Sequence, residues 1–169
     1  MTDITFNINN GYFFYRVGAI IIHDNHILTI KNENQPYYYS IGGRVHFGET
    51  AESAVLRETY EETNITFEIK CLAFIHENFA VADLFGDGNK PFHEISMYFL
   101  MKPHSDIANI KCTSKGGDGG AESLHWLSID KLSDYYLFPT FFKTELKNLK
   151  NETRHFITKD GRVYKTSSL

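Results

Sequence analysis

From Gly43 the chain reads GRVHFGETAESAVLRETYEETN, and the part from Thr50 to Thr63 contains neither glycine nor proline. Such a stretch is expected to be helical: Thr50 suits the N-cap, and Asn64 tolerates the left-handed conformation that ends a helix. On that helix Glu58, Glu61 and Glu62 are spaced i, i+3 and i+4, so the three carboxylates leave from one side. They also lie at the negative end of the helix dipole, which disfavours each by about 0.3 to 1 kcal/mol. A cluster that local electrostatics oppose points to a compensating cation. An all-oxygen ligand set selects Mg2+ or Mn2+ over zinc.

The flanking sequence supplies a sheet. Phe13 to Lys31 is rich in Tyr, Val and Ile and is interrupted by Asp24 and Asn25, the pattern of two strands joined by a tight turn. Tyr37 to Tyr39 is extended and is expected to end in a backbone turn at Gly42 and Gly43. Their bare backbone can approach a ligand closely, and a carbonyl at Gly43 is a candidate fourth oxygen donor. Further strands are expected at Phe67 to Phe79, Ile95 to Met101 and Leu124 to Ile129, and a second amphipathic helix at Phe141 to Leu149. The glycine-rich stretch Ser114 to Gly120 reads as a mobile loop, a candidate lid. Strands, helix, strands, helix in that order predict an α+β fold with a mixed sheet between helices.

With 169 residues, 42% of them hydrophobic, the chain fits one domain spanning residues 1–169. Its opening stretch does not look like a signal peptide and no apolar run reaches membrane-spanning length, so a cytoplasmic protein is expected. Cys71 and Cys112 stand apart from any CxxC or Cys/His cluster, which argues against structural zinc and a disulfide framework. A net charge of -4 offers a polyanion no general attraction, so duplex nucleic acid is not the expected partner.

The segment from Gly43 to Ile65 resembles the Nudix box. Gly43, Glu49, Arg57, Glu58, Glu61, Glu62 and Ile65 fall on its marks, and the six fixed matches before Ile65 are expected by chance with a probability on the order of 10^-5 from ordinary residue usage. Thr59 replaces the usual aliphatic residue and Asn64 the usual glycine, and neither change removes a carboxylate. The resemblance implies an α/β/α sandwich around a mixed sheet, with Glu58, Glu61 and Glu62 holding the divalent cations and Glu49 as salt-bridge partner of Arg57. It implies hydrolysis of a diphosphate in a nucleotide-like small molecule. Many relatives dimerise, so a homodimer is compatible with it.

The proton acceptor is expected to be Glu58 or Glu122, the latter just past the glycine-rich loop; Asp118 is a weaker candidate. Arg57, four residues before Glu61, is expected to orient the carboxylates by pairing with Glu61 or Glu49. Arg16, Arg44, Asn78, His93 and Glu94 are candidate linings of the substrate cleft, and Trp126, Phe79 or one of Tyr37 to Tyr39 a candidate stacking ring. The seven basic residues between Lys143 and Lys165 read as a solvated helix face and tail. For the reaction, a nucleoside diphosphate joined to another group, such as ADP-ribose or a nucleotide sugar, leads. A nucleoside triphosphate pyrophosphohydrolase of the housecleaning type is the alternative. A nucleotide-sensing domain without catalysis is the alternative of another class, and its feature would be a broken box.

Overall fold

The computed structural model describes residues 2–8, 10–110, 120–159 and 161–165. Cys112, Asp118 and the loop glycines before Gly120 lie outside them. Strands β1 (Thr5–Ile8), β2 (Gly11–Ile20), β3 (Ile22–His23), β4 (His26–Asn32) and β5 (Tyr38–Arg44) precede the main helix α1 (Ala51–Thr63). There follow β6 (Ile69–Ala82), β7 (Lys90–Met101), β8 (Glu122–Ser128), β9 (Leu137–Phe138), α2 (Phe142–Glu145), β10 (Arg154–Lys159) and β11 (Arg162–Lys165). The sheet is mixed and runs β11-β10-β6-β7-β2-β5-β4-β3, with β1 on β2, β8 on β4 and β9 on β5. Among its pairs β2 with β7, β6 with β10 and β5 with β9 are parallel.

Alternation along the strands separates two apolar clusters. Val17, Ala19, Ile41 and Phe99 face Ala54 and Val55 of α1. Ile20, Phe74, Tyr98 and Phe156 face the other way, against Phe141 and Phe142. This is the α+β arrangement anticipated above, with helical segments on both faces. Among the described residues no helix is long and apolar enough to cross a membrane.

Helix α1 has the expected caps. Thr50 accepts from the Ser53 N–H, and Asn64 at φ 57° is left-handed. The Asp24–Asn25 turn is present too, with both residues at positive φ.

Four expectations need correction. The backbone does not turn at Gly42 and Gly43: β5 continues through them, pairing Gly42 with Gly18 and Gly43 with Val17. A Cβ on Gly42 would lie 2.1 Å from the Val17 carbonyl oxygen, so glycine serves close strand packing there. The strands expected at Phe67 to Phe79 and Ile95 to Met101 run further toward the turn that joins them, because their ladder extends from Ile69/Met101 to Ala82/Lys90. The second helix is one α turn followed by a 3-10 turn at Leu146–Asn148, enough to bury Phe142 and Leu146. The basic C-terminal stretch is a solvated helical face only in its first part, where Lys143 and Lys147 lie on the helical turns and Lys147 and Lys150 are exposed. From Arg154 on it forms β10 and β11, with Arg154 buried against Glu145 and its guanidinium 4.8 Å from the centre of the Phe74 ring.

Candidate active site

Position 43 is where the sheet meets α1. A Cβ on Gly43 would lie 2.3 Å from the Glu58 carboxylate, so the absence of a side chain is what lets that carboxylate settle on β5. One turn on, Glu62 is buried at 8% exposure and accepts from the Gly42 N–H at 3.3 Å. Burial, then the Glu58 charge, then that of Glu122, drive the Glu62 carboxyl well above the usual range. Burial also raises Glu58, against the pull of Arg57.

Arg57 organises the helix face. Its Nε and Nη2 donate to the two oxygens of Glu49 at 2.9 and 3.0 Å, a bidentate pair. Its Nη1 donates to Glu58 at 2.7 Å and to Glu61 at 3.2 Å, and Nη2 also reaches the Arg44 carbonyl at 3.1 Å. The hydrogen bonds from Arg57 hold the Glu49 carboxyl below its ordinary range despite burial. Glu61 is therefore turned to Arg57 and half exposed, and among the described residues the three glutamates are not gathered into one closed set. Glu58 and Glu62 nevertheless suit a hard divalent cation: a half-buried and a buried carboxylate, both raised by burial and the second further by the charge of the first, with oxygen donors only.

Glu122 is a strand residue, not a loop acid. It opens β8 opposite Asn32 and accepts from the Tyr39 hydroxyl at 2.6 Å. Burial and this hydrogen bond push the Tyr39 hydroxyl far up. Because Glu122 also acts electrostatically on Glu62, the structure brings it to the same carboxylate group.

The candidate cleft residues divide by strand parity. Arg16 is directly opposite Arg44 on β5 and Ser96 on β7, while Asn78 is opposite Glu94, itself opposite Phe14. Arg16, Arg44, Asn78 and Glu94 therefore share one face. His93, adjacent to Glu94, must face the other way. It stacks on Phe79 at 4.2 Å and lies 3.7 Å from Glu77, so it leaves the cleft set. Phe79 goes with it, and Trp126 packs on the cluster beneath α1.

Two arginines directly opposite on a sheet repel unless anions surround them. Here Glu94 lies 3.7 Å from Arg16 and Asp3 3.3 Å from Arg44. Burial opposes the Arg16 charge, yet Glu94 first, with Tyr98, Glu58 and Glu62 behind it, keeps its guanidinium above the usual range. Arg44 Nε is buried with no hydrogen-bond partner among the described residues. The arrangement thus combines buried acids and paired cations around Gly42 and Gly43, which is suited to a charged, phosphate-bearing ligand.

Reading the sequence missed His76 and Ser96, the next pair along that face; period-two counting back from Asn78 would have found them. His76 Nε2 lies 2.8 Å from the Thr158 hydroxyl.

A NUDIX domain model matches residues 13–150, and the chain belongs to the Nudix hydrolase family. One curated relative, an ADP-ribose pyrophosphatase of Methanocaldococcus jannaschii, is 36% identical over 88 residues, covering 50% of this chain and 48% of that protein. The chain thus matches about half the length of that relative. A MutT protein from Bacillus halodurans has the same fold, with a TM-score of 0.64, 19% identity and coverage of 89% and 94% of the two chains. A MutT NUDIX hydrolase from Burkholderia pseudomallei gives a TM-score of 0.54 and 26% identity over 70% of this chain and 84% of its own.

Proposed function

We propose that this protein is a divalent-cation-dependent pyrophosphohydrolase that cleaves the diphosphate of a nucleoside diphosphate joined to another group, as in ADP-ribose. The observation that carries the reading is that the Glu58 and Glu62 carboxylates are held at Gly43 and Gly42 while their charges act on Arg16, the cross-strand partner of Arg44. The ADP-ribose pyrophosphatase relative supports the substrate class.

Glu58 and Glu62, with Glu61 once released from Arg57, would hold Mg2+ or Mn2+, and the Gly43 carbonyl is a further donor. Bound there, the cation supplies charge neutralisation on the phosphates and a lower pKa for attacking water. Arg16 and Arg44 offer guanidinium donors to phosphate oxygens, and Asn78 and Glu94 offer hydrogen-bonding groups on the same face. Glu58, positioned by Arg57 and Glu49, or Glu122, positioned by Tyr39, takes the proton from water.

The test is product analysis with Mg2+, Mn2+ or EDTA. AMP and ribose 5-phosphate from ADP-ribose support the reading. Pyrophosphate from a nucleoside triphosphate favours instead the triphosphate reading. Turnover in EDTA equal to that in Mg2+ overturns both. Replacing Glu62 by Gln is expected to cost at least about a hundredfold in kcat, two decades at 1.36 kcal/mol each. Folding in EDTA should be intact or firmer, because an uncompensated buried charge is removed; an unchanged kcat would remove Glu62 from the cation site.

A further inference from the structure

The connection between β6 and β7 turns over at residues 83–89, and its tip is fastened back onto the sheet. The Tyr12 hydroxyl and the Lys90 ammonium both donate to Asp87. Phe85 then sits with its ring 4.8 Å from that of Tyr12 and 6.2 Å from that of Phe14. The Arg44 guanidinium is bordered by two rings, 5.1 Å from Phe14 and 5.6 Å from Phe85. Tyr12 and Phe14 stand four and two residues before Arg16 on β2, and Arg44 is its cross-strand partner, so Phe85 overhangs the face that carries the paired arginines, Asn78 and Glu94. The ring nonetheless remains 49% exposed. A side chain whose whole role was to cover Arg44 would hide its ring; this one leaves aromatic surface open at the edge of a cationic face.

We propose that Phe85 is a specificity-determining residue, its open ring stacking on the nucleobase of a nucleotide whose phosphates lie at Arg16 and Arg44. The inference rests on the proposed function for the nucleotide character of the ligand. Every nucleobase offers a π-face, so stacking of this kind separates ligands with a base from ligands without one and discriminates weakly among bases.

The experiment is calorimetric binding of two products, AMP and ribose 5-phosphate, to the whole protein and to three variants. Phe85→Ala should weaken AMP roughly tenfold, within the range for loss of one stacked aromatic, and leave ribose 5-phosphate unchanged. Phe85→Trp should keep the AMP affinity. Phe85→Leu, which retains apolar bulk over Arg44 without a ring, should lose it as Ala does. Equal weakening of both ligands would make Phe85 a prop for Arg44 and overturn the inference, as would AMP binding by Phe85→Leu at the level of the unaltered protein. Because the readout needs no turnover, the two readings fail separately. A protein that prefers AMP but cleaves no diphosphate loses the proposed reaction and keeps the Phe85 assignment. Cleavage of ADP-ribose without any preference for AMP over ribose 5-phosphate loses only the assignment.

Discussion

Gly43 decides where a carboxylate can go. In place of its hydrogen, a methyl group would stand 2.3 Å from Glu58, against the movable end of a side chain rather than against backbone. Gly43→Ala is therefore expected to be cheap for the fold and costly for the reaction: Glu58 swings away, and with it the geometry that Arg57 sets at 2.7 Å. The expected outcome is a fall in kcat of about a hundredfold, the scale on which small misplacements at a reacting centre act. The accompanying stability loss should be no more than about 1 kcal/mol, read by thermal melting. Wild-type kcat would mean that the Glu58 position is irrelevant to turnover. The box glutamates were legible in sequence because helical spacing alone puts them together. Spacing also anticipates a pair between Arg57 and either Glu61 or Glu49; what it does not show is that the one guanidinium reaches Glu49, Glu58 and Glu61 together.

Elements were legible where the local signal and the tertiary role agree. In α1 the absence of glycine and proline, the Thr50 cap and the Asn64 terminus all act within the segment itself. The last two strands carry no such local signal. Lys and Arg spaced through residues 143–165 look like a solvated face, and only pairing with β6 makes Arg154 a buried residue held by Glu145. His93 and Glu94 are neighbours in sequence, and strand alternation sends neighbours to opposite faces, so only one of the two lines the cleft. The caps give a direct test of how far α1 stands by itself. Thr50→Ala removes the acceptor for the Ser53 N–H, 3.1 Å away, and should lower stability by about 1 kcal/mol in urea unfolding. Because the lost bond is at the end of the helix far from Glu62, the cation dependence of turnover should be unchanged. A shift in that dependence would show that the cap also positions the carboxylates.

At the scale of the molecule, α2 and β10 are joined to β6 and β7 through an aromatic cluster that includes a buried histidine. His76 is 3% exposed, hydrogen-bonded to Thr158 of β10 and 4.9 Å from the Phe141 ring, with Phe141 stacked on Phe156 at 4.5 Å. Burial, reinforced by His155, lowers its pKa from the ordinary 6.5 to about 4. The sign follows from which state takes the proton. Between pH 6.5 and 4 the unfolded protein protonates this imidazole and the folded protein does not, so the contribution is complete above pH 6.5 and is lost as the pH falls toward 4. At pH 5 the loss attributable to His76 should be about 2 kcal/mol. His76→Phe gives up the bond to Thr158 and should be less stable at pH 7, yet its stability should fall less between pH 7 and pH 5 than that of the unaltered protein. The difference between the two falls isolates His76 from the other titrating groups. Parallel falls would mean that the imidazole is hydrated or already charged at neutral pH, and that the joint between β6 and β10 is looser than its burial implies.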